Sequence, residues 1–278
     1  MRRARFPIPF ATAAVFVLSP SWAHATWSVA AADTTTREVA IATATCVSQS
    51  VFDHSPFKGL PDIQAVVAPG AGVAAAQAQS DPTRRDQALI REQLQMGAAP
   101  AEIVRILQAK GAAVAERQFG VVDVQGRAAA FSGDAIPPEA AARQGRAGGG
   151  RFAYAVQGNT LRSPAVVGEA AHAFETARGG LAGRVVAALY AGDLAGGDRR
   201  CSCETAPLPT GPCKRRNALI AYLIVAKPQD QPGADGRPAY AMSIYVTDEN
   251  TTKTESPDPV ETLRTRFQAL QAHGAGGR

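Results

Sequence analysis

Apolar positions along the chain fall into short alternating runs bounded by turn residues, with longer stretches of helical spacing between them. Trp27–Ala32 reads as a short strand. Asp33–Arg37 is a polar turn, and Glu38–Thr45 alternates so as to return as its partner. His54–Asp62 carries two prolines and a glycine and is expected to be a loop. Ile63–Ala68 and Gly72–Ala78 then read as two strands around Pro69-Gly70. Thr83–Gln95 places Ala88, Leu89 and Leu94 among charges and stops at Gly97. Pro100–Ala109 opens with proline at the first helical position and ends at Gly111. Phe119–Val124 and Arg127–Phe131 predict a hairpin around Gln125-Gly126. Gly145–Gly150 reads as a flexible glycine-rich stretch and Phe152–Gln157 as a strand. Pro164–Thr176 and Leu181–Tyr190 read as helices, the second closed by Gly192. Leu219–Lys227 and Tyr240–Thr247 are late strands joined by a Gln/Pro/Asp/Gly linker. Pro257–Gln271 is a final amphipathic helix with Val260, Leu263, Phe267 and Leu270 on one stripe, and a glycine-rich tail expected to be disordered follows.

Strands, two helices, strands, two helices, strands and a last helix form segregated blocks. That order predicts layered α+β packing and argues against alternating βαβ units. Helices covering the outer faces of two sheets would give a four-layer αββα sandwich, which can place the first residue of the first strand at an open edge of the core.

The N-terminus changes this picture. Arg2, Arg3 and Arg5 precede a short apolar core over Ala11–Leu18, and Ala23-His24-Ala25 is a small-x-small site, so residues 1–25 read as a cleaved export signal. The apolar core is too short for a permanent membrane span, and Leu219–Ala226 is only of strand length. The expected product begins at Thr26, is periplasmic or secreted, and leaves Sec versus twin-arginine export open. Three of the positive charges lie in the signal. Removing them from the formal net charge of +5 leaves +2, which removes most of the case for a nucleic-acid partner or a polybasic membrane surface, and neither is expected. Cys46, Cys201, Cys203 and Cys213 all follow the signal and would meet an oxidising compartment. Cys201 and Cys203, one residue apart in sequence, make a poor mutual bridge, so Cys213 is expected to pair with one of them and Cys46 with the other. Their spacing lacks the pattern of a zinc site, and no metal is expected.

Several segments together resemble a known family. They are Ala25–Asp33 (ATWSVAAAD), Glu38–Thr45, Gly70–Pro82 (GAGVAAAQAQSDP), Arg117–Asp123 (RQFGVVD), Tyr154–Asn159 (YAVQGN), Ala170–Ala177 and Leu189–Arg200 (LYAGDLAGGDRR). In order and content they resemble the bacterial domain of unknown function 1028 (DUF1028) over most of Thr26–Tyr222, with VQGN followed by AGGD the most specific pair. The resemblance implies an N-terminal-nucleophile (Ntn) hydrolase with the αββα fold. Members typically begin Met-Thr, so the family's threonine corresponds to Thr26, with a signal peptide in place of the lone Met. The chain departs from the pattern at Phe52–Pro61, at Asp134-Ala-Ile-Pro-Pro after Ser132-Gly133, and at the cysteine-bearing insert 201–216. These departures bear on substrate recognition.

An N-terminal threonine carries a hydroxyl nucleophile and a free α-amine that can act as its base. Thr26 is therefore the candidate nucleophile for a linear amide bond, by way of an acyl-threonine ester. Asn159, just past a strand, is a candidate oxyanion donor or a turn residue. Asp198, after Gly196-Gly197, is a candidate to orient the Thr26 ammonium or to close a polar turn. Candidate substrate-binding residues are Arg200, with its bidentate fork; Gln77 and Asp81, at the exit of an early strand; and Ser28, on the strand face of Thr26. Asp53-His54-Ser55 and His172 form no serine-hydrolase constellation by spacing. No phosphate loop, dinucleotide fingerprint or zinc-protease motif is present, so no cofactor is implied. The expected organisation is signal 1–25, catalytic domain 26–250 and C-terminal helix and tail 251–278. The partner would be a small-molecule or peptide-like amide, with a homo-oligomer allowed. A non-catalytic binding or structural protein on the same fold is the competing reading, because fold does not fix function.

Overall fold

The computed structural model describes residues 23–24, 26–53, 55, 57–136, 139–201, 216–231 and 239–275, with backbone alone for 23–24 and 274–275. Expectations for the rest of the export signal, His54, Cys203, Cys213, the interior of the 201–216 insert and the terminal tail fall outside the described residues.

Two antiparallel sheets carry the fold. The six-stranded sheet has the order β11-β10-β3-β2-β9-β8, with β2 Thr26–Asp33, β3 Val39–Thr45, β8 Ala141–Ala147, β9 Phe152–Asn159, β10 Ile220–Ala226 and β11 Met242–Thr247. The five-stranded sheet has the order β1-β5-β6-β7, with β4 also paired to β5. Its strands are β1 Ala23–His24, β4 Ala65–Ala68, β5 Gly72–Gln79, β6 Arg117–Asp123 and β7 Ala128–Ser132. The helices are α1 Leu60–Gln64, α2 Arg85–Gln95, α3 Pro100–Gln108, α4 Ala165–Thr176, α5 Leu181–Leu194 and α6 Pro259–Ala275. Among the described residues the chain is thus a mixed helix and sheet protein.

Period-two alternation sorts each strand between two cores. In β2, Trp27, Val29 and Ala31 pack with Val166, Phe174, Val185 and Leu189 of α4 and α5 and with Val260 and Leu263 of α6. Ala30 and Ala32 point the other way, to Val73, Ala75 and Val122 of the second sheet. Ile90, Leu94, Ile103 and Leu107 of α2 and α3 cover the remaining face of that second sheet, against Val66, Ala74, Phe119 and Val121. Sandwiched on both sides, all eight residues of β2 are buried.

Several expectations need correction. The 145–150 stretch is not simply flexible, because Ala141–Ala147 forms strand β8 and only Gly148–Gly150 turn with positive φ. The strand escapes notice in the sequence because it is a largely exposed edge with few apolar residues. Helix α5 passes through Gly192 and ends at Leu194. A Cβ on Gly192 would come within 2.9 Å of the Trp27 indole nitrogen, so that glycine makes room for Trp27 and stops nothing. The real break is Gly196-Gly197, both at positive φ. Ile63 lies in α1, within a stretch split between loop and strand expectations. On the α6 stripe, Val260, Leu263 and Phe267 are buried but Leu270 is 49% exposed. Among the described residues no helix is long and apolar enough to cross a membrane.

Candidate functional site

Thr26 opens β2 in the centre of the six-stranded sheet, between Thr45 of β3 and Asn159 of β9. Residues directly opposite on antiparallel strands share a face, with Cβ atoms about 4.5–5.5 Å apart. Thr26, Thr45 and Asn159 therefore form one row facing the second sheet, and all three are buried. The Thr26 hydroxyl donates to Thr45 Oγ1 at 3.3 Å. Ser28 lies one pleat further along the same face.

Below this row sits a buried network of amides. Gln77 of β5 is its hub. Its Oε1 accepts from Ser28 Oγ at 2.7 Å and from Gln64 Nε2 at 3.0 Å. Its Nε2 donates to the Thr26 carbonyl at 3.2 Å and to Gln118 Oε1 at 2.8 Å. All four bonding positions of one amide are filled, which fixes its orientation. Gln118 Oε1 also accepts from Asn159 Nδ2 at 3.3 Å. Gln118 Nε2 donates to Ser132 Oγ and to the Gly158 carbonyl, and Tyr222 donates to Gln64 Oε1 at 2.9 Å. The network thus ties the opening of β2 to strands of both sheets. One hydrogen of the Asn159 amide is committed to Gln118, and an amide NH₂ carries two.

Thr26 lines a small cavity with Leu60, Ile63, Gln64, Ala76, Gln77, Ala78 and Ser80. Its volume of about 10 Å³ is roughly that of one water site. Ala78 has φ +71°, a left-handed conformation that costs a non-glycine residue about 1–3 kcal/mol and concentrates at functional sites.

Asp198 and Arg200 lie together beside this row. Asp198 is fully buried; its Oδ2 accepts from the Cys46 backbone N–H at 2.8 Å and from Arg200 Nη2 at 2.8 Å, and its Oδ1 from the Arg200 backbone N–H at 3.0 Å. Cys46 follows Thr45 directly, and a Cys46–Cys201 disulfide with Cα atoms 5.6 Å apart locks the same junction. The Asp198 carboxylate is therefore spent on holding the 198–201 turn against the end of β3, and Arg200 forks onto Asp198. Of the expected substrate binders, Ser28 and Gln77 serve the amide network. Asp81 is not brought to Thr26: it accepts from the N–H groups of Thr83 and Asp86 at the start of α2 and lines a separate cavity of about 340 Å³ with Lys110 and Arg117. Backbone and hydroxyl bonds from Thr83 and Asp86 overcome the cost of burial and hold the Asp81 carboxyl below the usual range. Gln64, Gln118, Thr45 and Tyr222 were missed. The readable signal is a polar position inside a fully buried strand, as for Gln118 in RQFGVVD and Thr45 at the end of β3, whereas Gln64 lies in α1 and carries no such pattern. Among the described residues no group of three or more His, Cys, Asp or Glu is placed to hold a metal.

The family model of DUF1028, a family of unknown function, matches residues 26–235, beginning at Thr26 itself. The chain belongs to the DUF1028 family. A DUF1028 protein from Silicibacter pomeroyi, known as a crystal structure, is similar in fold, with a TM-score of 0.62 and 20% sequence identity over 89% of each chain. No curated protein matches the chain.

Proposed function

We propose that this DUF1028 protein is an exported Ntn-type amidohydrolase that uses Thr26, freed by signal cleavage, as nucleophile. The observation that carries the reading is the row itself, with Thr26 beside Asn159 on one buried face and Thr26 lining a cavity with residues of α1 and β5. The start of the family match at residue 26 supports it. So does the arrangement of helices outside two packed sheets, read here as the four-layer sandwich of Ntn hydrolases.

The Thr26 α-amine takes the proton of its own hydroxyl, directly or through a water in the cavity. Oγ1 then forms a bond to the carbonyl carbon of a linear amide, and the displaced π pair becomes an oxyanion that accepts from Asn159 Nδ2. Collapse breaks the C–N bond, and the ammonium returns its proton to the leaving amine. Water attacks the ester next, with the amine again as base, releasing the acid and restoring the hydroxyl. An α-amine with a reference pKa of about 7.7–8.0 is partly unprotonated near neutrality, so turnover rises with pH through that range. Asp198 acts through Cys46 and Arg200 as a positioning residue.

Intact mass of the exported protein tests the first requirement, a mature start at Thr26. Screening that product on a library of linear amides, beside Thr26→Ala, tests the second. A different mature start, or turnover that survives Thr26→Ala, overturns the reading.

A further inference from the structure

The residues just before Thr26 occupy an unusual place. Thr26 begins a strand of the six-stranded sheet, yet Ala23–His24, one residue upstream, belong to the five-stranded sheet. There they pair antiparallel with β5, Ala23 opposite Gln79 and His24 opposite Ala78. The other edge of β5 is taken by β6 from Gly72 to Ala78. On the edge facing β1, β4 covers only Gly72–Ala75. The leader therefore fills the open end of an edge that β4 leaves short. This end includes the left-handed Ala78, and Ala78 and Ser80 are walls of the cavity that Thr26 lines.

From this placement we infer that the β5 edge at Ala78–Gln79 is the acyl-side substrate subsite, and that it takes an extended, peptide-like chain paired as β1 is paired. The inference rests on Thr26 being the nucleophile. In the uncleaved chain the leader is the acyl group on the Thr26 nitrogen; in the acyl-enzyme the substrate is the acyl group on Thr26 Oγ1. The two atoms belong to one residue, so both acyl chains leave Thr26 from nearly the same point, and the strand slot beside it accepts either. Cleavage removes the β1 backbone and leaves unpaired main-chain groups at an edge, which an extended segment satisfies with its own N–H and C=O groups. The substrate class narrows from linear amides in general to those with an unsubstituted peptide backbone on the acyl side. The retained leader is a self-made block of its own subsite.

Hydrogen exchange across Ala76–Ser80 reads this directly, comparing the full chain made without export with the exported product. The Ala78 amide is expected to exchange at least tenfold faster in the product. The peptide Ser-Trp-Ala-His-Ala, matching residues 21–25, should slow it again, whereas the same peptide N-methylated at its histidine should not. Equal exchange in the two chains, or equal effects of the two peptides, overturns the inference. The same peptides added to the Thr26→Ala product separate the two ideas. Peptide protection retained while amide turnover survives Thr26→Ala leaves the strand site standing and removes the nucleophile. Turnover lost in Thr26→Ala with no peptide protection in either protein removes the strand site and keeps the nucleophile.

Discussion

Asn159 stands directly opposite Thr26 across the ladder between β9 and β2, with both side chains buried against the second sheet. Cross-strand pairing sets this juxtaposition, so it does not depend on a mobile loop. Its Nδ2 is anchored on Gln118 Oε1 at 3.3 Å, which aims the amide before any substrate arrives. Donors fixed in this way stabilise developing negative charge without reorganising. Under the proposed mechanism, Asn159→Ala should therefore lower kcat about 10²–10³-fold with KM changing far less. Steady-state kinetics on the amide found by screening checks this, and an unchanged kcat removes Asn159 from the oxyanion site.

Gln77 is placed to hold the site together from the opposite sheet. Replacing it with leucine strips an acceptor from Ser28 and Gln64 and a donor from the Thr26 carbonyl and Gln118. Each buried polar group left unsatisfied costs about 1–3 kcal/mol, so Gln77→Leu should lose several kcal/mol in urea unfolding. Ser28→Ala leaves Gln77 its bond from Gln64 and should cost only about 1 kcal/mol. Similar losses for the two variants would show that Gln77 is not the hub.

Much of the fold was legible because covered sheets demand alternation or continuous apolar runs, and β2, β5, β9 and β10 supply them. Edge strand β8 was not legible, since an exposed edge needs no apolar pattern. At the candidate site, Thr26 and Asn159 stand out in the sequence by local position, and strand pairing makes them neighbours. The partners of Gln77 were not, because Gln64 and Gln118 come from an irregular helix–strand junction and a different strand. Which face meets which is a tertiary fact. Asp81 misled for a related reason. It follows β5 closely in sequence, but the chain turns at Ser80 toward α2, where an aspartate caps backbone N–H groups.

The Cys46–Cys201 bridge closes a loop with a sequence separation of 155 at the edge of the site. In the chain-entropy account a loop of that length stabilises by about 5 kcal/mol. Cys46→Ser should accordingly lower the unfolding free energy by about 2–5 kcal/mol, and should also loosen the turn that Asp198 pins to the Cys46 N–H. Calorimetry on the purified protein, with and without reductant, checks the first effect. A melting temperature indifferent to both treatments would mean the bridge is absent in solution.

Asp193 near the end of α5 and Asp258 ahead of α6 are both buried, and Asn217 binds across them, donating its backbone N–H to Asp258 Oδ2 at 2.9 Å and its side-chain amide to the Asp193 carbonyl at 2.8 Å. Burial first, and then the charge of Asp258, pushes the Asp193 carboxyl up to about 8, and burial raises Asp258 as well. The unfolded chain returns an aspartate to about 3.9. A folded value above the unfolded one means that the native state holds the proton over that interval while the unfolded state releases it. The contribution is fully present below about pH 3.9 and is lost as pH rises through about 8. At about 1.4 kcal/mol per pKa unit, the loss amounts to a few kcal/mol. Asp193→Asn removes the titration and leaves an amide donor facing Asp258. The stability difference between this variant and the wild-type protein should therefore shift by about 2 kcal/mol or more in the variant's favour between pH 5 and pH 8.5. Urea unfolding of the two proteins at both pH values measures that difference directly; groups remote from Asp193 cancel, and the linked change in Asp258 is part of the difference. A difference that stays constant with pH would show that Asp193 ionises in the folded protein as it does in the unfolded chain.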